Sequence, residues 1–269
     1  MTIVPLQADD LKRIWLVAET HFTLRTLRQH LEQHPHLGWT VRESGDYIVG
    51  SYWKDRPEIG LIMESSLSPL RADLVRRLVQ SYSETGSDLV VASEREASHA
   101  LQLYQDEGFV PIEEVVCYER PEMQAPSILR RLRVQRLQDA DLPALVRLEQ
   151  AAFPWLWWET ANTFRLTSQR SETSVLVGYL GDELVGYLIL AVRGTWGHIN
   201  RIGVHPAHQG QGFGRELLAI AIEEMARRGA HTTGLNTQGA NTSSQRLYEG
   251  FGFLRTGETF KIWGKWLGG

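Results

Sequence analysis

The chain has 269 residues, of which 42% are hydrophobic and 22% charged, with a formal net charge of -4 and a pI near 6.2. This length suits two domains with separate cores, and the acidic balance argues against a primary role on nucleic acid. The single cysteine, Cys117, excludes an intramolecular disulfide, and neither a signal peptide nor ~20 consecutive apolar residues are found, so we expect a cytoplasmic protein with no metal site and no membrane span.

The first recognisable element is a β-hairpin around Gly45-Asp46, where alternating apolar residues flank a tight-turn dipeptide. The same pattern recurs around Gly181-Asp182, 136 residues later when counted from glycine to glycine. A second match, 144 residues apart, pairs Leu103–Phe109 with Leu247–Phe253, and each is a helix end followed by Gly-Phe and a new strand. The chain is therefore predicted to be a tandem repeat of one domain.

The two matches also predict where the halves differ and where they join. The C-terminal half has eight more residues between the matches, which is the difference between the two offsets. We place this insertion in the region that contains His205–Gly214, because the corresponding segment Ser65–Ala72 contains no glycine. We assign residues 1–125 and 130–269 to the two domains, and Glu119–Ser127, which contains two prolines, to the linker.

The C-terminal half reads as alternating strands and helices around one central sheet. The predicted elements are a strand near Leu132–Leu137, a helix capped by Asp139 or Asp141, a helix over Glu159–Thr167, the hairpin at Gly181, a strand at His198–Val204, a helix at Gly214–Arg228, a strand at Thr232–Thr237, a helix at Asn241–Glu249 and a closing strand pair to Leu267. This pattern is typical of a mixed α/β domain.

A glycine-rich loop, Gln209-Gly-Gln-Gly-Phe-Gly214, lies between a predicted strand and a predicted helix. Glycines let consecutive backbone N–H groups point to one place, and the helix N-terminus adds partial positive charge, so the loop suits a phosphate. It is not a Walker loop, since Arg215 and Glu216 follow it, and its glycine spacing is not that of a dinucleotide fingerprint. The alternative is a tight strand-to-helix turn that binds nothing.

The loop resembles in full the Q/R-x-x-G-x-G/A loop of the GNAT superfamily of acyl-CoA N-acyltransferases. Ile199–Pro206 is similar to the fourth strand of that family and the turn after it. Asn241–Tyr248, followed by Gly252-Phe253, is similar to its N-x-x-A/S-x-x-L-Y…G-F element. The resemblance covers about the last 140 residues well, whereas the first half shares only the hairpin and the Leu-Tyr…Gly-Phe element.

The resemblance implies two tandem GNAT-like α/β domains, each a central, mostly antiparallel mixed sheet flanked by helices, of which the N-terminal one is degenerate. The layout is similar to that of mycothiol synthases, whose C-terminal domain carries out the transfer. The resemblance also implies acetyl-CoA as cosubstrate, with its pyrophosphate on the glycine loop, its pantetheine along the preceding strand and a hydrogen bond from the asparagine of the next helix. The cofactor-binding residues it implies are Ile202, Gly203, Val204, Gln209, Gly210, Gln211, Gly212, Phe213, Gly214, Arg215, Asn241 and Ser244.

Two residues are candidates for proton transfer. Tyr248 matches the tyrosine of the family, and a phenol with a pKa near ~10 can protonate a departing thiolate. The alternative is a tyrosine retained for packing, because the matching Tyr104 has no phosphate loop nearby. His198 lies six residues before Val204, where several family members carry a catalytic glutamate, and imidazole is a suitable base at neutral pH. The alternative is a solvated histidine.

Strand alternation predicts that His198, Asn200, Ile202 and Val204 share one face of the sheet, which would let His198 line the acceptor cleft. The sequence departs here from the peptide N-terminal acetyltransferases that modify ribosomal proteins. Their Leu-Glu motif supplies the base, whereas Asn236 stands at that position in this chain. Asparagine cannot accept a proton, so the base is His198, water or neither.

The aromatic segment Phe153–Trp158 is expected to anchor a loop, with an aromatic acceptor slot as the alternative. Together the motifs predict an acetyl-CoA-dependent N-acetyltransferase that acts on a primary amine of a small molecule or peptide by direct attack on the thioester. The competing hypothesis is a regulator with this fold that binds acyl-CoA without turnover, which Asn236 favours and Tyr248 disfavours.

Overall fold

The computed structural model of the protein describes residues 2–17, 20–95 and 100–268. The chain divides into two compact units. The N-terminal unit comprises Met1–Glu113 together with Phe260–Gly269, and the C-terminal unit comprises Glu114–Thr259. Each unit has its own sheet, helices and apolar core.

The N-terminal unit contains five strands from the first half of the chain and the end of the last strand. Its elements are β1 (Ile3–Pro5), α1 (Leu24–Gln33), β2 (Gly38–Val41), β3 (Asp46–Tyr52), β4 (Ile59–Ser65), α2 (Arg71–Glu84), β5 (Leu89–Arg95) and α3 (Ala100–Asp106). The last strand of the chain, β12 (Leu254–Trp266), also contributes its second part, Phe260–Trp266. The sheet order is β1-β2-β3-β4-β5-β12, and only β4 and β5 pair in parallel.

Helices cover both faces of this sheet. α2 buries Leu74 and Leu78 at helical spacing, and they join one core cluster with Ile48 of β3. α1 buries Leu27 in a second cluster with Val49, the next residue of the same strand. Successive strand residues point to opposite faces, so β3 separates the two cores.

The C-terminal unit has the same kind of sheet with its own helices. Its elements are β6 (Val110–Arg120), which enters the unit at Glu114, β7 (Arg133–Arg136), α4 (Leu142–Ala152), α5 (Ala161–Ser168), β8 (Thr173–Leu180), β9 (Glu183–Arg193), β10 (Trp196–Val204), α6 (Phe213–Arg227), β11 (Thr232–Gln238) and α7 (Thr242–Glu249). The order is β6-β11-β10-β9-β8-β7, and only β10 and β11 are parallel.

Two layers of helices enclose the sheet of the C-terminal unit. α6 packs Leu218 and Ile222 against Leu188 of β9, in a cluster that also includes residues of α7. On the opposite face, Phe164 of α5 packs with Tyr187 of β9 and with residues of α4. α6 ends just before a glycine in the left-handed conformation, the C-terminal signal that the sequence predicted.

The predicted fold class is confirmed, because each unit has a mostly antiparallel mixed sheet flanked by helices. Both predicted hairpins are present, and their turn glycines Gly45 and Gly181 have φ angles of 77° and 62°. The predicted elements between Leu132 and Glu249 all appear with ends that differ by at most a few residues.

The last strands of the units follow a plan that the sequence did not indicate. The predicted closing strand pair is one strand, β12, whose second part pairs with β5 of the N-terminal unit. β6 likewise starts in the N-terminal unit and pairs with β11 of the C-terminal unit. The unit limits therefore differ from the predicted 1–125 and 130–269. The predicted linker Glu119–Ser127 is wrong at its start, because β6 continues to Arg120.

Six of the eight extra residues of the C-terminal half lie in its β9–β10 hairpin, and the other two lie between the start of α6 and Tyr248. Gly50 of β3 pairs with Ile62 of β4, twelve residues on, whereas the matching Gly186 of β9 pairs with Val204 of β10, eighteen residues on. From these paired residues to the first residue of the next helix, both units need nine residues. The prediction that placed the insertion in the region of His205–Gly214 is therefore corrected, because most of it lies in the hairpin before that segment. The two connections differ in composition, not in length.

Candidate active site

Strands β10 and β11 run side by side and then separate. They pair from Trp196 with Thr232 to Ile199 with Leu235, and the described residues form no further pairs between them. Over residues 201–204, β10 pairs with β9 on its other side, and within the described residues it has no ladder pair with β11 there, so this edge is open to another partner. A ligand that contains amides can pair with this edge as an added strand would.

A cleft of about 530 Å³ lies where the strands separate. The end of β10, the glycine loop, the start of α6 and helix α7 bound it, and Ala152 and Phe153 close one side. Its size is within the range of small-molecule and cofactor pockets.

The glycine loop turns twice through the left-handed region, at Gly210 with φ 75° and at Gly212 with φ 91°, angles that glycine adopts freely. A short 3-10 helix, Pro206–His208, precedes the loop, and α6 begins at Phe213. Within the described part of the chain, the backbone N–H groups of residues 210–215 make no hydrogen bond to protein atoms. They form a cluster of donors at the N-terminus of a 15-residue helix, the arrangement that binds phosphate.

Arginine side chains add positive charge around this cluster. Arg131 lies 4.3 Å from the ring centroid of Phe213 and donates a hydrogen bond to the loop backbone. The buried carboxylate of Glu216 accepts bonds of 2.8 Å from the backbone N–H groups of residues 131 and 132, which fixes this arginine beside the loop. Arg215 and Arg246 line the cleft itself. The region is therefore complementary to an anionic ligand.

Helix α7 brings Asn241 and Tyr248 to the cleft. Asn241 is the N-cap, and its Oδ1 accepts a 3.1 Å bond from the backbone N–H of Ser244, so its amide nitrogen is the group that can donate to a ligand. Burial raises the pKa of Tyr248 to about 12, while the neighbouring Ser244 hydroxyl and the charge of Arg201 act in the opposite direction. The phenol is therefore protonated at neutral pH.

A β-bulge interrupts β10 just before the cleft. Ile199 pairs with Leu190 of β9, and Arg201 pairs with Ile189, so Asn200 is an extra residue in the ladder. Such a bulge reverses the alternation of the side chains that follow it.

The reversal corrects the predicted face of the strand. Ile202 and Val204 pack against the cluster beneath α6, whereas His198 and Arg201 lie on the face that α4 and α5 cover. The prediction that His198, Asn200, Ile202 and Val204 share one face is therefore wrong, because a period of two holds only for an uninterrupted strand.

His198 is partly buried and is not part of the cleft lining. Burial, together with the charge of Arg193, holds the pKa of His198 below its usual value, so the imidazole is neutral at pH 7. Asn236 is exposed on β11, where it pairs with Cys117 of β6. Neither side chain contacts the glycine loop.

Comparison with known proteins agrees with this geometry. The model of the acetyltransferase (GNAT) family matches residues 135–253, which contain the separated strands, the glycine loop and α7. The chain is 31% identical over 120 residues to the [ribosomal protein bS18]-alanine N-acetyltransferase of Escherichia coli (strain K12), covering 45% of this chain and 79% of that protein. The chain belongs to the GNAT acetyltransferase family.

Two further proteins resemble part or all of the chain. It is 40% identical over 67 residues to the L-methionine sulfoximine/L-methionine sulfone acetyltransferase of Salmonella typhimurium, covering 24% of this chain and 39% of that protein. A tandem GNAT protein from the clavulanic acid biosynthesis pathway has the same fold over 100% of this chain and 99% of its own, with a TM-score of 0.70 and 14% identity. The tandem arrangement predicted from the repeat is thus confirmed.

As a GNAT acetyltransferase, the protein is an acetyl-CoA-dependent acyltransferase. This finding disfavours the alternative of a regulator without turnover. In residues 2–17, 20–95 and 100–268, no three His, Cys, Asp or Glu side chains are grouped to hold a metal ion. No helix in those ranges is long and apolar enough to span a membrane.

The GNAT motifs located most of the cleft. His198 and Gln211 lie outside its lining, and the side chain of Gln211 donates a 3.2 Å bond to the carbonyl of Ala207. The predicted residues that line the cleft are Ile202, Gly203, Val204, Gln209, Gly210, Gly212, Phe213, Gly214, Arg215, Asn241, Ser244 and Tyr248. Arg246 also lines the cleft from α7, five residues after Asn241, and it was not among the predicted residues.

A buried ion pair beneath the aromatic segment Phe153–Trp158 was likewise not predicted. The side chains of Arg201 and Glu149 form it, with exposed fractions of 9% and 0%. Within the segment, Trp158 Nε1 donates a 2.8 Å bond to the carbonyl of Phe153. These contacts agree with the expectation that the segment anchors a loop. An arginine in the interior of a predicted strand was the signal that could have indicated the ion pair.

Proposed function

We propose that the C-terminal unit transfers the acetyl group of acetyl-CoA to a primary amine of a small molecule or peptide, with both substrates bound together. The observation that carries this proposal is the open edge of β10, which leads directly to the unpaired N–H groups of residues 210–215. Acetyl-CoA supplies the activated thioester. Its pantetheine amides match the strand edge and its pyrophosphate matches the N–H groups at the start of α6.

The charges around the cleft favour the same ligand. Arg131, Arg215 and Arg246 surround the glycine loop, and acetyl-CoA carries its negative charges on phosphates. The side chain of Gln209 donates a 3.0 Å bond from Nε2 to the carbonyl of Val204. This bond ties the start of the loop to the end of β10. These arginines and N–H groups therefore fit a phosphate-bearing ligand.

Tyr248 is the proton donor in this proposal. It lines the cleft from α7, and its raised pKa of about 12 keeps the proton on Oη at working pH. The phenol gives this proton to the departing thiolate and is then reprotonated from solvent. Asn241 orients the ligand from the start of the same helix through its amide nitrogen.

His198 is the proposed base, and it acts through water. The bulge places it on the same face as Arg201 and outside the cleft lining, so direct contact with the amine is not expected. Its lowered pKa makes it neutral and able to accept a proton at pH 7. Asn236 cannot take this role.

The printed names of two relatives favour an α-amino group as acceptor. One acts on an alanine of a ribosomal protein and the other on L-methionine sulfoximine and L-methionine sulfone. We therefore rank peptides with a free N-terminal alanine and polar amino acids above polyamines and aminoglycosides.

The test is a panel of these amines with the full chain and acetyl-CoA, with thiol release as the rate and mass spectrometry of the product as the identification. We expect release to depend on at least one α-amine and to be absent in a Gly212→Val variant. Release at one rate with every amine and with none would indicate hydrolysis and would contradict the proposal.

A further inference from the structure

The β-bulge at Asn200 decides where Arg201 points. Without the extra residue, Arg201 would alternate onto the face beneath α6, among Leu217, Leu218 and Ile222. With it, the side chain lies beneath the segment that joins α4 to α5. Bulges next to active sites commonly re-aim a side chain in this way.

The guanidinium joins three parts of the fold around this segment. Nη2 donates to the carboxylate of Glu149 on α4 and, at 2.6 Å, to the carbonyl of Trp157. Nε donates at 3.0 Å to the hydroxyl of Tyr187 on β9, which in turn donates to Glu149. The backbone N–H of Glu159 donates to the same carboxylate at 3.1 Å. The buried charges are thus paired and hydrogen-bonded, as burial requires.

The same guanidinium holds an aromatic ring at the cleft. Its central carbon lies 3.8 Å from the ring centroid of Phe153, which lines the cleft. A Cβ at Gly203 would meet the ring of Phe153 at 3.1 Å and that of Tyr187 at 2.4 Å. The ring is therefore held between the arginine and the backbone of β10, at the point where the strands have already separated.

We infer that Arg201 is a positioning residue for the acceptor: it fixes residues 153–158 so that Phe153 forms the acceptor side of the cleft. The inference rests on the function proposed above and names the element that selects the amine. Arg201 makes no hydrogen bond or ring contact with the glycine loop or α7 among the described residues, although its charge opposes the increase that burial causes in the pKa of Tyr248. A substitution that keeps this charge should therefore affect acceptor binding and leave acetyl-CoA binding nearly unchanged.

The test variant is Arg201→Lys, which keeps the charge beside Glu149 but loses the planar fork that reaches both Trp157 and Tyr187 and stacks on Phe153. We expect KM for the acceptor to rise about 10-fold or more, kcat to change less, and Kd for acetyl-CoA by calorimetry to stay within about 2-fold. Hydrogen exchange of the amides in residues 155–160 should become faster. The matched control is Arg165→Gln, which removes an exposed ion pair with Asp139 just after the loop and should change none of these.

Two results would overturn the inference. One is a folded Arg201→Lys variant with unchanged loop exchange and acceptor KM, and the other is a weakened acetyl-CoA Kd with an unchanged acceptor KM. If Arg201→Lys does not fold, Phe153→Leu decides, because it leaves the ion pair intact and should raise acceptor KM more than Kd for acetyl-CoA. An unchanged KM in that variant also refutes the inference. Failure of the proposed function would give a different result. Hydrogen exchange in residues 155–160 would still become faster in Arg201→Lys, but the unchanged protein would acetylate no amine.

Discussion

The two units start their central helix in contrasting ways. α6 begins behind Gly212, and the N–H groups of its first turn have no protein partner within the described residues. α2 begins behind Leu70, whose N–H donates a 3.2 Å bond to the hydroxyl of Ser68, and the N–H of Arg71 donates to the carbonyl of the same serine. The N-terminal unit therefore satisfies two of the N–H donors at its helix start with Ser68, whereas the C-terminal unit leaves the matching donors for a ligand.

The side chains continue the contrast. Arg71, the first residue of α2, donates at 2.7 Å to Ser65 at the end of β4 and forms an ion pair at 3.5 Å with Glu94 of β5. β4 and β5 pair only as far as Ile62 with Ala92, so Glu94 lies where the corresponding strands of the other unit separate. One fold with connections of equal length can therefore either leave a cluster of N–H donors open or place an internal ion pair where the strands end.

The largest expected effect comes from closing the open cleft. Gly212→Val places a β-branched residue at φ 91°, displaces the N–H groups and should weaken acetyl-CoA binding by about 10³-fold or more, since two lost charge-assisted hydrogen bonds are worth about 3–6 kcal/mol. Gly229→Val is the matched control, because Gly229 has the same φ at the other end of α6 and nothing within 4 Å of its Cβ position. Calorimetry measures both. If both variants lost acetyl-CoA affinity equally, the loss would come from backbone strain and not from the glycine loop.

The second prediction compares the two equivalent tyrosines. Tyr248→Phe should lower kcat by about 10³-fold with little change in Kd for acetyl-CoA, because only the proton donor is lost. Tyr104→Phe should leave turnover unchanged, since burial, followed by the neighbouring Glu94, raises the pKa of Tyr104, and Ser68 accepts from the N–H groups of Leu70 and Arg71 in the same unit. Steady-state rates and calorimetry on both variants decide. A loss confined to affinity in Tyr248→Phe would assign the phenol to binding.

Local signals in the sequence were sufficient for the elements that build the site. Gly181 and Gly229 mark a hairpin and a helix end that the structure contains, and the spacing of Leu218, Ile222 and Met225 marks the buried side of α6. These predictions succeed because turn glycines and helical periodicity act over a few residues.

The predictions that failed depend on pairing between distant residues. No local pattern marks Asn200 as a bulge, since its position follows from the register of β10 against β9. Arg201 meets Glu149, 52 residues earlier, only when α4 packs on the sheet. The partner of β12 is likewise fixed by backbone pairing, so a repeat comparison alone could not divide the strand between units.

A smaller effect is expected from His198. In the folded protein its pKa lies below 6.5, so the proton-accepting form predominates at pH 7, and kcat/KM should rise with pH through that lowered pKa and be level by neutral pH. His198→Gln should lower kcat/KM by about 10²-fold on the plateau and remove this acidic limb. A pH–rate profile of both proteins is the measurement. The same acidic limb in the variant would mean that another group, or water, is the base.

The smallest effect is expected in the N-terminal unit, where the substitution tests whether a second site can be uncovered. Arg71→Gln breaks the ion pair with Glu94, whose two side chains are 13% and 20% exposed, and should lower the free energy of unfolding by about 1 kcal/mol. Acetyl-CoA should still bind at one site per chain, as in the unchanged protein, because Ser68 continues to accept from the N–H groups of Leu70 and Arg71 at the start of α2. Chemical denaturation gives the first quantity and calorimetric stoichiometry the second. Two equivalent sites in the unchanged chain would contradict the prediction that the N-terminal unit binds no acetyl-CoA. A second site that appears only in Arg71→Gln would show that the ion pair, not the bonds to Ser68, prevents binding there.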